Sequence, residues 1–472
     1  MRKSLIIIIL SLFCNSLFGD DNHNIQNFYG ERATGMGGAF TGISDDTSGA
    51  FYNPAGLSFI LENHYSINVS SYKTSEREFK DLFGPGQNYT RSSRTYLPNF
   101  IGFTRRLGKW NIGLTMINPI NESFDQTNRI TLPIYRRNLS QLDINYNRER
   151  FQLLTGPSVS YQLSEKLSIG LTTYYMYDTN KVTSSQNENQ FNNNVTVVQD
   201  LERRRTSGIL PIVGIQYMPL EKLSLGASLK KTYVTGGTIS STTNVTSAGL
   251  TGGPSSVISQ GSDQLVAQST GGLPTISGGL LENVPEVYEI RSGFAFFPTK
   301  SITISTDFIY TSGYNIYYNQ STLNLQNNLV TYKDPYLHNY ERNQTLNFAG
   351  GIEFYLTDNI VIRLGRYTNK SNNRDLSWWD GAIISQINNT LGPNNNPSLS
   401  NNLQLEVPTY REVHTDLQGY TFGIGFETAG TTLNFAVAHQ YGRGVGFIDK
   451  YQLPTTAVIK DTTFFISGGS KY

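Results

Sequence analysis

Apolar side chains recur at every second position in paired runs joined by tight turns, and this alternation commits the chain to strands with one apolar and one polar face. Ile101 and Phe103 lead through Gly108 to Trp110, Ile112, Leu114 and Met116. Val159 and Tyr161 turn at Ser164-Glu165-Lys166 into Leu167, Ile169, Leu171, Thr173, Tyr175 and Tyr177. Val213, Ile215 and Tyr217 turn near Pro219 into Leu223, Leu225, Ala227 and Leu229. Ile290, Phe294 and Phe296 turn at Pro298-Thr299-Lys300 into Ile302, Ile304, Phe308 and Tyr310. Leu346, Phe348, Ile352 and Phe354 turn into Ile360, Ile362 and Leu364, and Tyr420 to Phe426 turn into Leu433, Phe435, Val437 and Tyr441. These six hairpins, with one strand before them (Tyr65, Ile67, Val69) and one after (Phe464, Ile466), make fourteen. An even count with both termini on one side fits an antiparallel transmembrane β-barrel.

The connections alternate in length, as such barrels require. Short turns lie on one side, and long polar segments lie on the other: 73–96, 119–149, 178–206, 231–285, 311–344, 368–416 and 442–461. A propeller would show a blade-length repeat, and none is found. Charged residues make up only 15% of the chain and aromatics 12%, while mean hydropathy is −0.33, so hydroxyl and amide groups replace the missing charges. A net charge of +1 gives no ground for a nucleic-acid partner.

Export is the expected route. Arg2 and Lys3 precede a short apolar run from Leu5 to Phe13, and Leu17 and Gly19 lead to a cleavage point before Asp20. Residues 1–19 therefore read as a secretory signal peptide. The one cysteine, Cys14, lies within it, and the bulky Phe13 before it argues against lipid attachment. No later stretch holds 18 uninterrupted apolar residues, so strands rather than a helix must do any crossing. The expected location is the outer membrane of a diderm bacterium.

Parity then assigns an interior. With the apolar rows facing lipid, the lumen receives Asn111, Gly113 and Thr115 from the third strand and Ser224, Gly226 and Ser228 from the seventh. The thirteenth supplies Asn434, Ala436, Ala438 and Gln440. Glu289, Arg291, Asp307, Glu353 and Arg363 share the inward parity on four neighbouring strands, where charge at bilayer depth is tolerated. They either grip a plug or simply neutralise one another, and the pattern leaves both open.

The plug candidate is 20–62, ahead of the barrel proper at 63–472. It carries Gly30-Glu31-Arg32-Ala33-Thr34-Gly35-Met36-Gly37-Gly38-Ala39-Phe40, then Ser44-Asp45-Asp46-Thr47-Ser48, then Phe51-Tyr52-Asn53-Pro54-Ala55-Gly56-Leu57. Gly35, Gly37 and Gly38 suit a compact irregular segment, and Phe40 in the third glycine's place excludes a dinucleotide fingerprint. Ser44 or Asp45 is placed to cap a short helix over Thr47–Tyr52, which Pro54 ends. Asp45 and Asp46 have no histidine or third acid nearby for a metal, so no metal or other cofactor is expected. Asn53 is the expected contact to the wall, through backbone left unpaired by a distorted strand.

Residues 29–58 closely resemble the N-terminal signature of the FadL/TodX family of outer-membrane transporters for hydrophobic molecules. The resemblance implies a fourteen-stranded barrel closed by an N-terminal hatch, with the Asn53-Pro54-Ala55 motif inside that hatch. It implies passive entry of long-chain fatty acids or other hydrophobic molecules, with no enzyme activity and a monomer in outer-membrane lipid. A kink in the third strand opens a sideways path in that family. Here Asn118-Pro119 and Gly156-Pro157 are the candidates to border such a gap, because proline removes a ladder donor. Pro119 as the first residue of a loop remains the alternative. The family's external greasy groove maps to Leu265, Val266, Leu280 and Leu281, and loop self-packing explains these residues as well. Arg203, Arg204 and Arg205 at a loop's end attract a carboxylate, lipopolysaccharide phosphate or plain solvent.

Two other classes stay in view. Related barrels with similar starts act as partners in protein export or surface attachment, and an open porin would conduct ions steadily. Catalysis finds no support. His439 faces outward with no serine beside it, and His23, His64, His338 and His414 lack ligand spacing.

Overall fold

The computed structural model describes residues 23–60, 62–82, 85–131, 139–190, 195–248, 287–317, 321–325, 328–332, 339–373, 413–446 and 455–471. Each alternating run forms a strand. In chain order they are β1 (His64–Phe79), β2 (Tyr89–Leu107), β3 (Trp110–Ile130), β4 (Leu139–Ser164), β5 (Leu167–Gln190), β6 (Val195–Leu220) and β7 (Leu223–Lys231). There follow β8 (Tyr288–Thr299), β9 (Ile302–Thr311), β10 (Thr345–Thr357), β11 (Ile360–Asn369), β12 (Leu417–Glu427), β13 (Thr431–Gly446) and β14 (Thr455–Lys471). Every strand pairs antiparallel with its chain neighbours, and β14 pairs with both β13 and β1, which closes a fourteen-stranded barrel. After Thr232, β7 resumes as Tyr233–Ala248 along β6.

Parity is as the alternation requires. On β3, Trp110, Ile112, Leu114 and Met116 are 38–58% exposed, whereas Asn111 and Thr115 are 1% exposed. Similar apolar rows on every strand make a continuous outward band, which water does not tolerate and lipid does.

The strands run further than the apolar rows. β1 and β2 are joined by 80–88, not 73–96, and β5 and β6 by 191–194, not 178–206. Beyond the band the outward face turns polar, so the ladder continues without the apolar outward row that betrays it. On β3 a register shift between Ile117 and Ile120 also flips the parity, and the outward row becomes Ser123, Asp125, Thr127 and Arg129. Arg203, Arg204 and Arg205 accordingly lie within β6, paired with Lys181, Asn180 and Thr179 of β5.

Candidate functional site

Residues 23–60 lie against the inward faces of the wall, and nearly all are buried. Irregular backbone carries carbonyls with no ladder to accept from, and the small polar lumen row supplies their donors. Asn68 of β1 donates to Gly30 O (2.9 Å), Asn111 of β3 to Leu57 O (2.8 Å) and Ser168 of β5 to Ala55 O (2.8 Å). Gln216 of β6 donates to Ile43 O (3.0 Å), Ser228 of β7 to Tyr52 O (2.7 Å) and Thr421 of β12 to Gly35 O (2.7 Å). The segment's Met36, Phe40, Phe51 and Tyr52 join one buried cluster with Phe100, Ile117, Tyr174 and Ile212 of the wall.

Close approach depends on cross-strand glycine pairs. Gly170 pairs with Gly214, Gly226 with Gly293, and Gly351 with Gly365. A Cβ at Gly170 would overlap Pro54, at Gly214 Asn53, at Gly226 Thr41, and at Gly365 the Met36–Gly37 peptide. Sequence placed Gly226 in the lumen but gave no sign that the wall glycines meet the segment.

Asn53 is fully buried between these walls. Its Nδ2 donates to Thr41 O (3.0 Å) and Ile215 O (3.1 Å), and its Oδ1 accepts from Ala55 N (3.2 Å). Ile215 sits in an unbroken stretch of β6, paired on both sides, so no strand distortion is needed. The glycines at 214 and 226 let the amide reach the sheet instead. Pro54 ends the helix, α1 (Gly49–Tyr52), and starts a 3-10 turn over Pro54–Phe59. The expected caps are corrected: the N-cap is Ser48, and Asp46 Oδ1 accepts from Ser48 N at 2.7 Å. Asp45 is occupied by Arg32, and Ser44 donates to Phe40 O at 2.9 Å. Burial, then the Glu31 carboxylate, pushes Asp46 up to about 6. Replacing Asn53 by alanine removes three bonds worth about 1 kcal/mol each. The expected result is faster amide hydrogen exchange across 41–56, with barrel strands unchanged.

The five inward ionisable residues form three groups, not one network. Asp307 Oδ2 accepts from Phe40 N (3.0 Å), Thr41 N (2.9 Å) and Thr41 Oγ1 (2.6 Å). Glu353 bridges Arg363 (2.6 Å) and Arg32 (2.6 Å), Arg32 also holds Asp45 (2.6 Å), and Arg363 reaches Glu427 (2.8 Å). Glu289 pairs with Arg291 (2.5 Å) and Lys230 (3.0 Å), higher in the barrel. Lys230 follows Ser224, Gly226 and Ser228 on the same inward row, so continuing the count would have found it.

That third group faces a cavity of about 190 Å³ between the wall and the segment, which lines it with 23–29, 37–38 and 51–52. Ile25, Phe28, Phe51, Leu154, Leu210 and Ile309 give it apolar walls, and Lys230, Arg291 and Arg150 against Glu289 give it an excess of cations. Pro119 and Ile120 form its side.

There the wall is incomplete. The β2–β3 ladder runs from Leu107–Trp110 to Phe100–Ile117 and resumes only at Ser93–Phe124. Among the described residues, 94–99 and 118–123 have no ladder pair across this seam. Pro119 lies at its edge, and Asn118 turns its amide to Gln152 O of β4 (3.0 Å). Pro98 of β2 lies on the opposite edge. Pro157 does not border the seam: it pairs with Leu114 of β3, and Gly156-Pro157 instead interrupts the β4–β5 ladder opposite Thr173 and Tyr174. Leu265, Val266, Leu280 and Leu281 lie outside the described residues. Outward-facing His439 meets Thr462 Oγ1 at 2.9 Å.

No protein-family model matches the chain, and no curated protein matches it in sequence. Solved structures do. A Pseudomonas aeruginosa FadL homologue aligns over 96% of this chain and 99% of its own, at 12% identity and a TM-score of 0.54. The toluene transporters TodX of Pseudomonas putida (TM-score 0.56) and TbuX of Ralstonia pickettii (0.55) each cover 95% of this chain and 99% of theirs, at 12% identity. The closed barrel and these full-length matches establish that this chain has the FadL/TodX fold.

Proposed function

We propose that the chain sits in the outer membrane and passively admits hydrophobic molecules, with long-chain fatty acids as the favoured substrate. Residues 23–60 serve as the hatch. The observation that carries this is the cavity: it lies between the segment and the wall, is walled by apolar side chains, holds more cations than acids, and reaches the unpaired β2–β3 seam at Pro119 and Ile120. A carboxylate headgroup is matched by Lys230 and Arg291, and the chain by Phe28, Phe51 and Leu154. Substrate captured at the outer face enters this cavity, the hatch shifts, and the molecule leaves sideways through the seam into lipid. No step requires energy input or bond chemistry.

The test is uptake of a labelled long-chain fatty acid by transporter-deficient cells carrying the parent or Ile120→Trp, at matched surface levels. The indole fills the cavity where it meets the seam, and uptake is expected to fall about tenfold, equivalent to roughly 1.4 kcal/mol. Undiminished uptake in Ile120→Trp would remove the seam as the exit.

A further inference from the structure

The seam is fastened from inside by residues that are themselves held at the outer end of the barrel. Asn27 Nδ2 donates to Pro119 O (3.3 Å) on the β3 edge, and Asn99 Nδ2 of the β2 edge donates to Phe28 O (2.9 Å). Two consecutive residues thus join both sides of the stretch where the ladder fails. A few residues earlier the same segment is bonded to the far wall. Asn369, the last residue of β11, clasps Ile25 through both N (3.1 Å) and O (2.6 Å). Asn24 Nδ2 donates to Thr345 Oγ1 at the outer end of β10 (2.6 Å), and His23 Nε2 meets Thr415 O just ahead of β12 (2.8 Å). By the shorter way round, β11 is six strands from β3.

We infer that residues 23–29 are a strap that couples the outer ends of β10–β12 to the lateral seam, so that contacts made at the outer face govern whether the seam opens. From Ile25 to Asn27 is only two residues, about 7 Å at full extension. Slack at Asn369 therefore passes directly to the Pro119 clasp. Asn369 donates and accepts for one residue's backbone, as a strand partner would, and this suits an anchor that holds firmly and releases as a unit. The inference rests on the seam being the exit and adds a control point on the opposite wall.

The experiment reads the seam without transport. In the full chain with Cys14→Ser, a single cysteine at Ile120→Cys is labelled by a membrane-soluble maleimide. Adding Asn369→Ala, six strands away, is expected to speed labelling about fivefold or more, the lower range of ordinary coupling between sites. Asn27→Ala with Asn99→Ala, which frees the near clasp, sets the scale for a released seam. Unchanged labelling in Asn369→Ala, with the near-clasp variant fast, would overturn the coupling. A second variant blocks release: Asn24→Cys with Thr345→Cys, oxidised and confirmed by loss of free thiols, is expected to stop fatty-acid uptake until reduced. Uptake at the parental rate with the bond formed would also overturn it. Failure of the parent to take up fatty acid, with coupling intact in the labelling assay, would count against the transport reading alone.

Discussion

Replacing Arg363 by alanine is expected to destabilise the folded barrel by roughly 3 kcal/mol, the lower end of the cost of breaking a buried ion pair, because Arg32 still faces Glu353. Arg363 is 1% exposed and donates to Glu353 (2.6 Å), Glu427 (2.8 Å) and Asn434. Its removal leaves Glu353 with Arg32 as its remaining ion-pair partner and withdraws the aliphatic stem against which Gly35 packs. The effect should therefore appear both in the barrel's unfolding midpoint in detergent and in protection of residues 31–37 from hydrogen exchange. The double variant Glu353→Gln, Arg363→Met removes both charges and should recover much of the loss, because replacing a buried pair with neutral groups costs far less than breaking it. Equal losses in the single and double variants would show that packing, not charge, dominates.

Gly365→Val should unseat the N-terminal segment while sparing the wall. The position is ordinary strand, which favours valine, but a side chain there overlaps the Met36–Gly37 peptide. Backbone cannot yield as a flexible side chain does, so the segment must move, at about 1–3 kcal/mol or more. Steady ion conductance in a planar bilayer is the expected signature, against a closed parent. Gly350→Ala is the control: its Cβ would meet the Phe348 ring at 3.3 Å and Ser305 O at 4.0 Å, and no part of the N-terminal segment. A closed Gly365→Val channel with normal folding would mean that the segment tolerates displacement without opening a path.

The barrel was legible because lipid on one side and a polar lumen on the other impose a strict period of two. Trp110 to Met116 and Leu433 to Tyr441 show it plainly, and the fourteen strands follow from counting such runs. Where both faces are polar, as beyond Tyr177 on β5, the period vanishes and strand is mistaken for loop. The seam was half legible. Pro119 announced a missing donor, but only register shows that Pro98 and Asn99 lie across from it, and that Pro157 belongs to another ladder. The caps expected at Ser44 or Asp45 fail because the helix begins only at Gly49, where Ser48 is the N-cap without a side-chain cap bond. Asp45 instead pairs with Arg32, a contact no local pattern encodes. Asn53 was found from its motif, yet the reason it fits, the paired glycines beneath it, is a cross-strand property invisible in one dimension.

The measurement that tests the central claim most directly is fatty-acid uptake by cells lacking their own transporter. It compares this protein with its Asn53→Ala, Pro54→Ala variant at matched surface levels. Rapid uptake by the parent, falling clearly in the variant, is the predicted result. No uptake by a correctly inserted parent would contradict fatty-acid transport, and equal uptake by both would contradict the part given to Asn53 and the hatch.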